Sequence, residues 1–312
     1  MKIGLYDTFL PALIRDEVLV DLSDVVGATI MNELPEDRML AIIAQFDALR
    51  PAIEACTGPT HALSLVQLRA PVPSPNKMLF AQGNYFEGTD TPALPLNMFV
   101  KLPSSILDPG GTVQLTSDDA FIFQHEAELA VIIGKGGKAI PVESAMEHVF
   151  GYSSVIDVSA RGLGRGLDLI DKSADTFCPF GPWITTADEI SDPQKLRVRL
   201  SVDGAPRQDY NTDDMEHSVP ELISWASQIL TLEPGDVIAC GTNHQGLGPL
   251  QGGETATIEI EKIGPMSVQI QDPLNRRWPV GVDPGIGRAV IKMRTTGALP
   301  DPATAFPTRR IA

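Results

Sequence analysis

The run His125-Glu126-Ala127-Glu128 places two carboxylates one residue apart within an otherwise apolar stretch, residues 123–133. Side chains alternate across an extended strand, so Glu126 and Glu128 share one face while Ala127, Leu129, Val131 and Ile133 take the other. Two carboxylates on one partly buried face repel each other unless a proton or cation lies between them. A third acid, Asp157, ends a second strand pattern, Gly151-Tyr152-Ser153-Ser154-Val155-Ile156. Oxygen donors alone, with no Cys or His pair at zinc spacing, suit Mg²⁺, Mn²⁺ or Ca²⁺ better than zinc. The plainer alternative is a solvated polar face on an edge strand.

Cations and polar loops follow these acids. Arg161 stands four residues after Asp157, and Lys172 precedes Asp175-Thr176-Phe177-Cys178-Pro179. Both lie in glycine-rich, polar segments that are long for mere connections, which points to a site. Gly241-Thr242-Asn243-His244-Gln245-Gly246-Leu247-Gly248 follows the strand pattern of residues 237–240, and a loop of this composition suits close approach to a ligand. Gly162-Leu163-Gly164-Arg165-Gly166 does not complete a dinucleotide fingerprint, and Lys135-Gly136-Gly137-Lys138 lacks phosphate-loop spacing. Neither justifies a nucleotide.

The elements that must position these residues read as three stretches. Residues 1–72 form a small N-terminal α/β unit, with a strand at 18–22. A helix follows from near Pro35, on which Met39, Ile42, Ile43 and Phe46 recur at helical spacing until Pro51 interrupts it. Three prolines in residues 70–75 make a stiff connector. Residues 73–272 are dominated by strands and turns. Residues 196–202 alternate into Asp203-Gly204, a hairpin signature, and 255–262 alternate and turn at Gly264-Pro265. Two helices are expected there. One covers about 142–149, and the other opens with Ser218-Val219-Pro220-Glu221, a capping box. Strands and helices do not alternate regularly, so an α+β fold rich in β-hairpins fits better than a doubly wound parallel sheet. Residues 273–312 hold seven Lys/Arg, two Asp and six prolines, and read as an extended tail lying on an acidic body.

The chain has 312 residues, a formal charge of −16 and 43% apolar residues. That is ample material for a core, and such an acidic body repels phosphate backbones, which excludes nucleic acid and anionic membrane surfaces as partners. No stretch of about eighteen apolar residues occurs, and the start lacks the apolar run of a signal peptide. Cys56, Cys178 and Cys240 are few and scattered, which suits a reducing compartment. A cytoplasmic protein is expected.

Taken in order, several landmarks resemble the fumarylacetoacetate hydrolase family. They are Glu126-Ala127-Glu128-Leu129, Gly151-Tyr152 leading to Asp157-Val158-Ser159-Ala160-Arg161, and Lys172 with Asp175-Thr176-Phe177-Cys178-Pro179. Arg207-Gln208, Asn211-Thr212, Leu232-Glu233-Pro234-Gly235-Asp236 and Gly241-Thr242 complete the set, which spans about residues 76–272. The resemblance implies a β-rich mixed β-sandwich roll, usually a homodimer. It also implies one divalent metal, Mg²⁺ or Mn²⁺ (or Ca²⁺), held by Glu126, Glu128 and Asp157. Members act on 2-oxo or 1,3-dicarbonyl acids by hydrolysing a carbon–carbon bond, decarboxylating, or shifting a double bond. The shared step is chelation of a keto-enolate by the metal, which stabilises the developing carbanion. Lys172 then sits beside the enolate, Arg161 supports the metal or a substrate carboxylate, and Thr242 with Asn243 binds the carboxylate's other end. Tyr85, Arg207 and Gln208 complete the expected substrate contacts.

Departures from the family pattern bear on the reaction. Asn84-Tyr85 are present, but Gly88 stands where hydrolytic members carry a lid His. Gly162 and Gly164 replace an Asp and a Gln, and Asn243-His244-Gln245 replaces a Pro and small residues. The expected base is therefore His244, with Glu87 as the lid's carboxylate; a His needs little tuning to accept a proton near neutral pH. His125 and His217 are expected to be structural. The leading expectation is a metal-dependent hydrolase of an acylpyruvate-like acid. Decarboxylation or isomerisation on the same site is the alternative, and a ligand-binding homologue without turnover the second.

Overall fold

A computed structural model describes residues 1–116, 120–162 and 171–297. Among them, a large, mostly antiparallel sheet runs in the order Thr60–Ala62, Val18–Asp21, Leu10–Arg15, Lys2–Tyr6, Cys178–Thr186, Val149–Ile156, Ala127–Ile133, Val237–Ala239, Met78–Ala81, Met98–Val100. A smaller sheet orders Ala205–Asn211, Arg197–Val202, Thr255–Ile260, Gly264–Gln271 and Thr112–Gln114. With few helices beside these sheets, the fold is the expected α+β arrangement. The N-terminal strands extend the large sheet directly, because Lys2–Tyr6 pairs antiparallel with Cys178–Thr186.

Ala127–Ile133 occupies the middle of the large sheet, between Val149–Ile156 and Val237–Ala239, and is buried along its whole length. Its alternation divides the two cores. Leu129, Val131 and Ile133 pack with Tyr152 and with Val198, Leu200 and Ile258 of the smaller sheet. Ala130 and Ile132 face the other way, into a core shared with Ile3, Leu5, Ile42 and Phe80. Glu128 has the parity of Ala130 and Ile132, so it lies at the end of this second face. The alternative of a solvated edge strand is therefore overturned. The apolar run is also not one strand: Ile122–Gln124 pairs with Ser159–Arg161 in a separate two-stranded ribbon, and the chain enters the large sheet only after His125-Glu126.

Three local expectations change. Pro51 does not end its helix; the break falls at Gln45, between Arg38–Ala44 and Phe46–Glu54, and Pro51 sits inside the second segment. A proline lacks one N–H donor, and a short helix packed against the sheet tolerates one missing bond. Val142–His148 is a 3₁₀ rather than an α-helix. The tail is not extended throughout: Pro284–Thr296 is an α-helix, capped by the Asp283 side chain accepting from Gly285 N at 2.8 Å and closed by Gly297 at φ +70°. The capping box at Ser218 and the hairpin at Asp203-Gly204, both residues at positive φ, form as expected.

Candidate active site

The antiparallel register that sets Ala127 opposite Ile156 brings Glu126 abreast of Asp157, whose N–H donates to the Glu126 carbonyl at 2.8 Å. As a result Glu126, Glu128 and Asp157, all buried, each offer an oxygen within 4.8 Å of the others. Three cations close around them. Lys172 Nζ donates to Glu126 Oε2 and to Asp157 Oδ2, both at 2.6 Å. Lys101 Nζ donates to Asp157 Oδ1 and, at 3.2 Å, to the Val158 carbonyl. Arg161 reaches Glu126 and, through Nε at 3.0 Å, Gln124 Oε1. Among the described residues no cation pairs directly with Glu128; its Oε2 accepts from Gly241 N at 2.7 Å.

This asymmetry sets the electrostatics. Burial pushes Glu128 well above the usual carboxylate range, and the neighbouring charges of Asp157 and Glu126 push it further. For Glu126 burial acts in the same direction, but Lys172 and Arg161 outweigh it and hold the carboxyl well below that range. Burial disfavours the Lys172 ammonium, yet Asp157 and Glu126 keep its proton affinity raised. A converging set of oxygen donors, one of which forms no ion pair among the described residues, fits a hard divalent cation.

The acids open into a cavity of about 90 Å³, walled by Phe99, Arg161, Lys172, Thr242, His244 and the backbone near Gly83. A larger space of about 770 Å³ is lined by Phe46, Phe150 and Asp188 among others, but among the described residues the three acids that converge lie elsewhere. Size does not mark the chemistry here; convergent titratable groups do.

His244 reaches the cavity from the loop after Val237–Ala239, and Glu87 meets it from the segment after Met78–Ala81. Glu87 accepts from His244 N at 2.9 Å, from Gln245 Nε2 at 3.1 Å, and contacts His244 Nδ1 at 2.6 Å. A carboxylate already receiving these donors makes Nδ1 the protonated ring nitrogen, which leaves the Nε2 lone pair for a ligand. Glu87 itself sits at φ +59° beside Gly88 at φ +69°. A non-glycine residue held in the left-handed region carries backbone strain, which tends to collect where function demands one geometry.

Of the expected site residues, Glu126, Glu128, Arg161, Lys172, Thr242 and His244 line the cavity, Asp157 belongs to the acid cluster, and Glu87 holds His244. Four others do not reach the cavity. Tyr85 is buried edge-on against Tyr210. Gln208 is an internal strut: its Oε1 accepts from Ala127 N and contacts His125 Nδ1, each at 3.1 Å, and its Nε2 donates to Thr242 Oγ1 and the Asn243 carbonyl. Asn243 turns away to Asp214, at 3.1 Å. Arg207 is buried beneath Gly248 and Gly281. His125 is buried and its pKa pushed down to about 4 by burial, in keeping with a structural role, and His217 bonds the Leu94 carbonyl at 2.7 Å. Gly164 lies outside the described residues.

Lys101 escaped the sequence reading. Its signal is a lone charge in the apolar run Met98-Phe99-Val100-Lys101-Leu102, which a fully buried lysine requires a partner to offset.

Residues 80–271 match the family described as Fumarylacetoacetate (FAA) hydrolase C-terminal. The chain belongs to the fumarylacetoacetate hydrolase family. A maleylpyruvate hydrolase of Aquipseudomonas alcaligenes is 35% identical, over 82% of this chain and 94% of that protein. Oxaloacetate tautomerase YisK of Bacillus subtilis is 34% identical, over 84% of this chain and 96% of its own. Among solved structures, the maleylpyruvate hydrolase of Sphingobium sp. SYK-6 in complex with manganese(II) and pyruvate is 35% identical with a TM-score of 0.80, covering 87% of this chain and 99% of that one. These relatives are named as enzymes, and this family member shares their fold.

Proposed function

We propose that this fumarylacetoacetate hydrolase family enzyme hydrolyses a carbon–carbon bond in an acylpyruvate-like or 1,3-dicarbonyl acid. The observation that carries this reading is His244, held by Glu87, lining the same cavity as Glu126 and Glu128 of the acid cluster. Glu126, Glu128 and Asp157 hold a divalent ion, Mg²⁺ or Mn²⁺, which when bound supplies an electron sink beside the oxygens of a 2-oxo acid.

The chain's own groups do the rest. His244 Nε2 takes a proton from water, and the resulting hydroxide attacks the acyl carbonyl carbon. The bond to the neighbouring methylene then breaks. Its electron pair stays on the departing enolate of the 2-oxo acid, which is finally protonated. Glu87 keeps the imidazole in the tautomer that accepts this proton and supports the charge it acquires. Lys172 stands beside the enolate, while Arg161 and the Thr242 hydroxyl orient the carboxylate.

The direct test is maleylpyruvate with Mn²⁺, following loss of enol absorbance and analysing products. Maleate and pyruvate in equal amounts, abolished by EDTA, are expected; absence of both acids sinks the hydrolytic reading. A second reading, tautomerisation or decarboxylation of a 2-oxo acid, draws on the 34% identical oxaloacetate tautomerase and on the smallness of the cavity. Oxaloacetate turned over without equal release of two acids, or with CO₂, assigns that chemistry instead. The reading includes a cytoplasmic homodimer, with sedimentation velocity at a dimer mass as its check.

A further inference from the structure

The helix Pro284–Thr296 lies beyond the residues matched by the family, 80–271, yet it packs on both segments that carry the His244–Glu87 pair. Its last turn contributes Arg294, whose guanidinium is nearly fully buried and ion-paired with the equally buried Glu216. The same guanidinium donates from Nε to Thr89 Oγ1 at 3.1 Å and from Nη2 to Thr91 Oγ1 at 3.0 Å. It also lies 5.6 Å from the centre of the Phe86 ring. Glu87 is therefore bracketed: Phe86 before it and Thr89 after it are both held by one arginine. Thr89 Oγ1 in turn donates to the Phe86 carbonyl at 2.6 Å, closing the loop around Glu87.

The helix's first turn meets the other partner. A Cβ at Gly287 would come within 2.9 Å of Gln245 Oε1, so the helix backbone lies directly against that side chain. Gln245 is the residue whose Nε2 donates to Glu87, and Asp283 N donates to the Leu247 carbonyl at 2.8 Å. One helix thus spans the Glu87 segment and the His244 turn, neither of which lies in a strand among the described residues.

We infer that the C-terminal helix, through Arg294, is a positioning element that holds Glu87 at His244 and so keeps the acid–base pair aimed into the cavity. This rests on the reading of His244 as the base. Arg294 touches neither ligand nor reacting atoms; it acts through Glu87. A loop set by several charge-assisted bonds loses its geometry when they go, and small misplacements of a catalytic group lower the chemical step more than binding.

The test uses the full chain with ¹⁵N-labelled histidine, of which there are five, and turnover with Mn²⁺ of whichever of maleylpyruvate and oxaloacetate is faster. The wild type should show a low-field Nδ1–H resonance, assigned by its loss in His244→Ala. In Arg294→Met that resonance should vanish, kcat should fall about 10–100-fold, and KM should stay within about threefold. Arg294→Lys should recover part of both. The pair Arg294→Met with Glu216→Gln removes the orphaned buried charge, so a fall that persists in this folded double variant does not stem from unfolding. In the His244→Ala background Arg294→Met should lower kcat no further. A wild-type resonance and kcat in the folded Arg294→Met chains would overturn the inference. Wild-type turnover in His244→Ala with the resonance still dependent on Arg294 would leave the helix in its role and remove the base.

Discussion

The acid cluster and the His244–Glu87 pair share one cavity but are built by opposite means. Glu128 stands on one of two neighbouring strands at the centre of the large sheet, and Glu126 and Asp157 immediately flank those strands; the three are separated by at most 31 positions and set by backbone register. His244 and Glu87 are 157 residues apart, on loops, and depend on side-chain bonds and on a helix from outside the matched domain. The acid cluster is therefore preformed by the sheet, whereas the His244–Glu87 pair is assembled. A family whose relatives are named hydrolase, tautomerase and isomerase gains its range most easily at such an assembled end, because loops change with little loss of scaffold.

Variants at the two ends should separate. Glu128→Gln should weaken Mn²⁺ binding at least about 100-fold by calorimetry and lower turnover beyond about 1000-fold, since it removes an oxygen donor of the cluster. Unchanged Mn²⁺ affinity would mean the acids do not form the metal end. His244→Ala should lower turnover about 10²–10⁴-fold while Mn²⁺ affinity holds. An equal drop in both quantities would erase the distinction between the ends. Lys101→Met leaves Asp157 without its fully buried partner and should lower unfolding free energy by about 3–5 kcal/mol in urea titrations with EDTA. A neutral result there would show that Lys172 alone satisfies Asp157. Gln208→Leu, which removes a strut between His125, Ala127 and Thr242, should lower stability by about 1–3 kcal/mol. Its KM should stay within about threefold; a large rise would return Gln208 to direct contact with substrate.

The acid cluster was legible because strand alternation is a local rule. A period of two puts Glu126 and Glu128 on one side whatever surrounds them, and the second strand pattern ends at Asp157. Burial was harder: the same run served for an edge strand or a central one, and only its pairing with Val149–Ile156 and Val237–Ala239 decides. That Arg207, Gln208 and Tyr85, expected at the substrate, do not line the cavity was hidden for a similar reason. Polar residues near a site in sequence serve equally as internal struts, and Gln208 spends its donors and acceptors on the protein itself.

By itself the amino-acid sequence determined the β-rich α+β class, the capped helix at Ser218, the turn at Asp203-Gly204 and the shared face of two acids. Each follows from the dihedral and hydrogen-bonding preferences of a few adjacent residues. Tertiary structure alone decided that Lys101 joins Asp157, that Glu87 meets His244, and that part of the tail is a helix clamping both loops. Those pairings join distant segments whose conformations depend on what packs against them, and no short-range preference encodes such a partner.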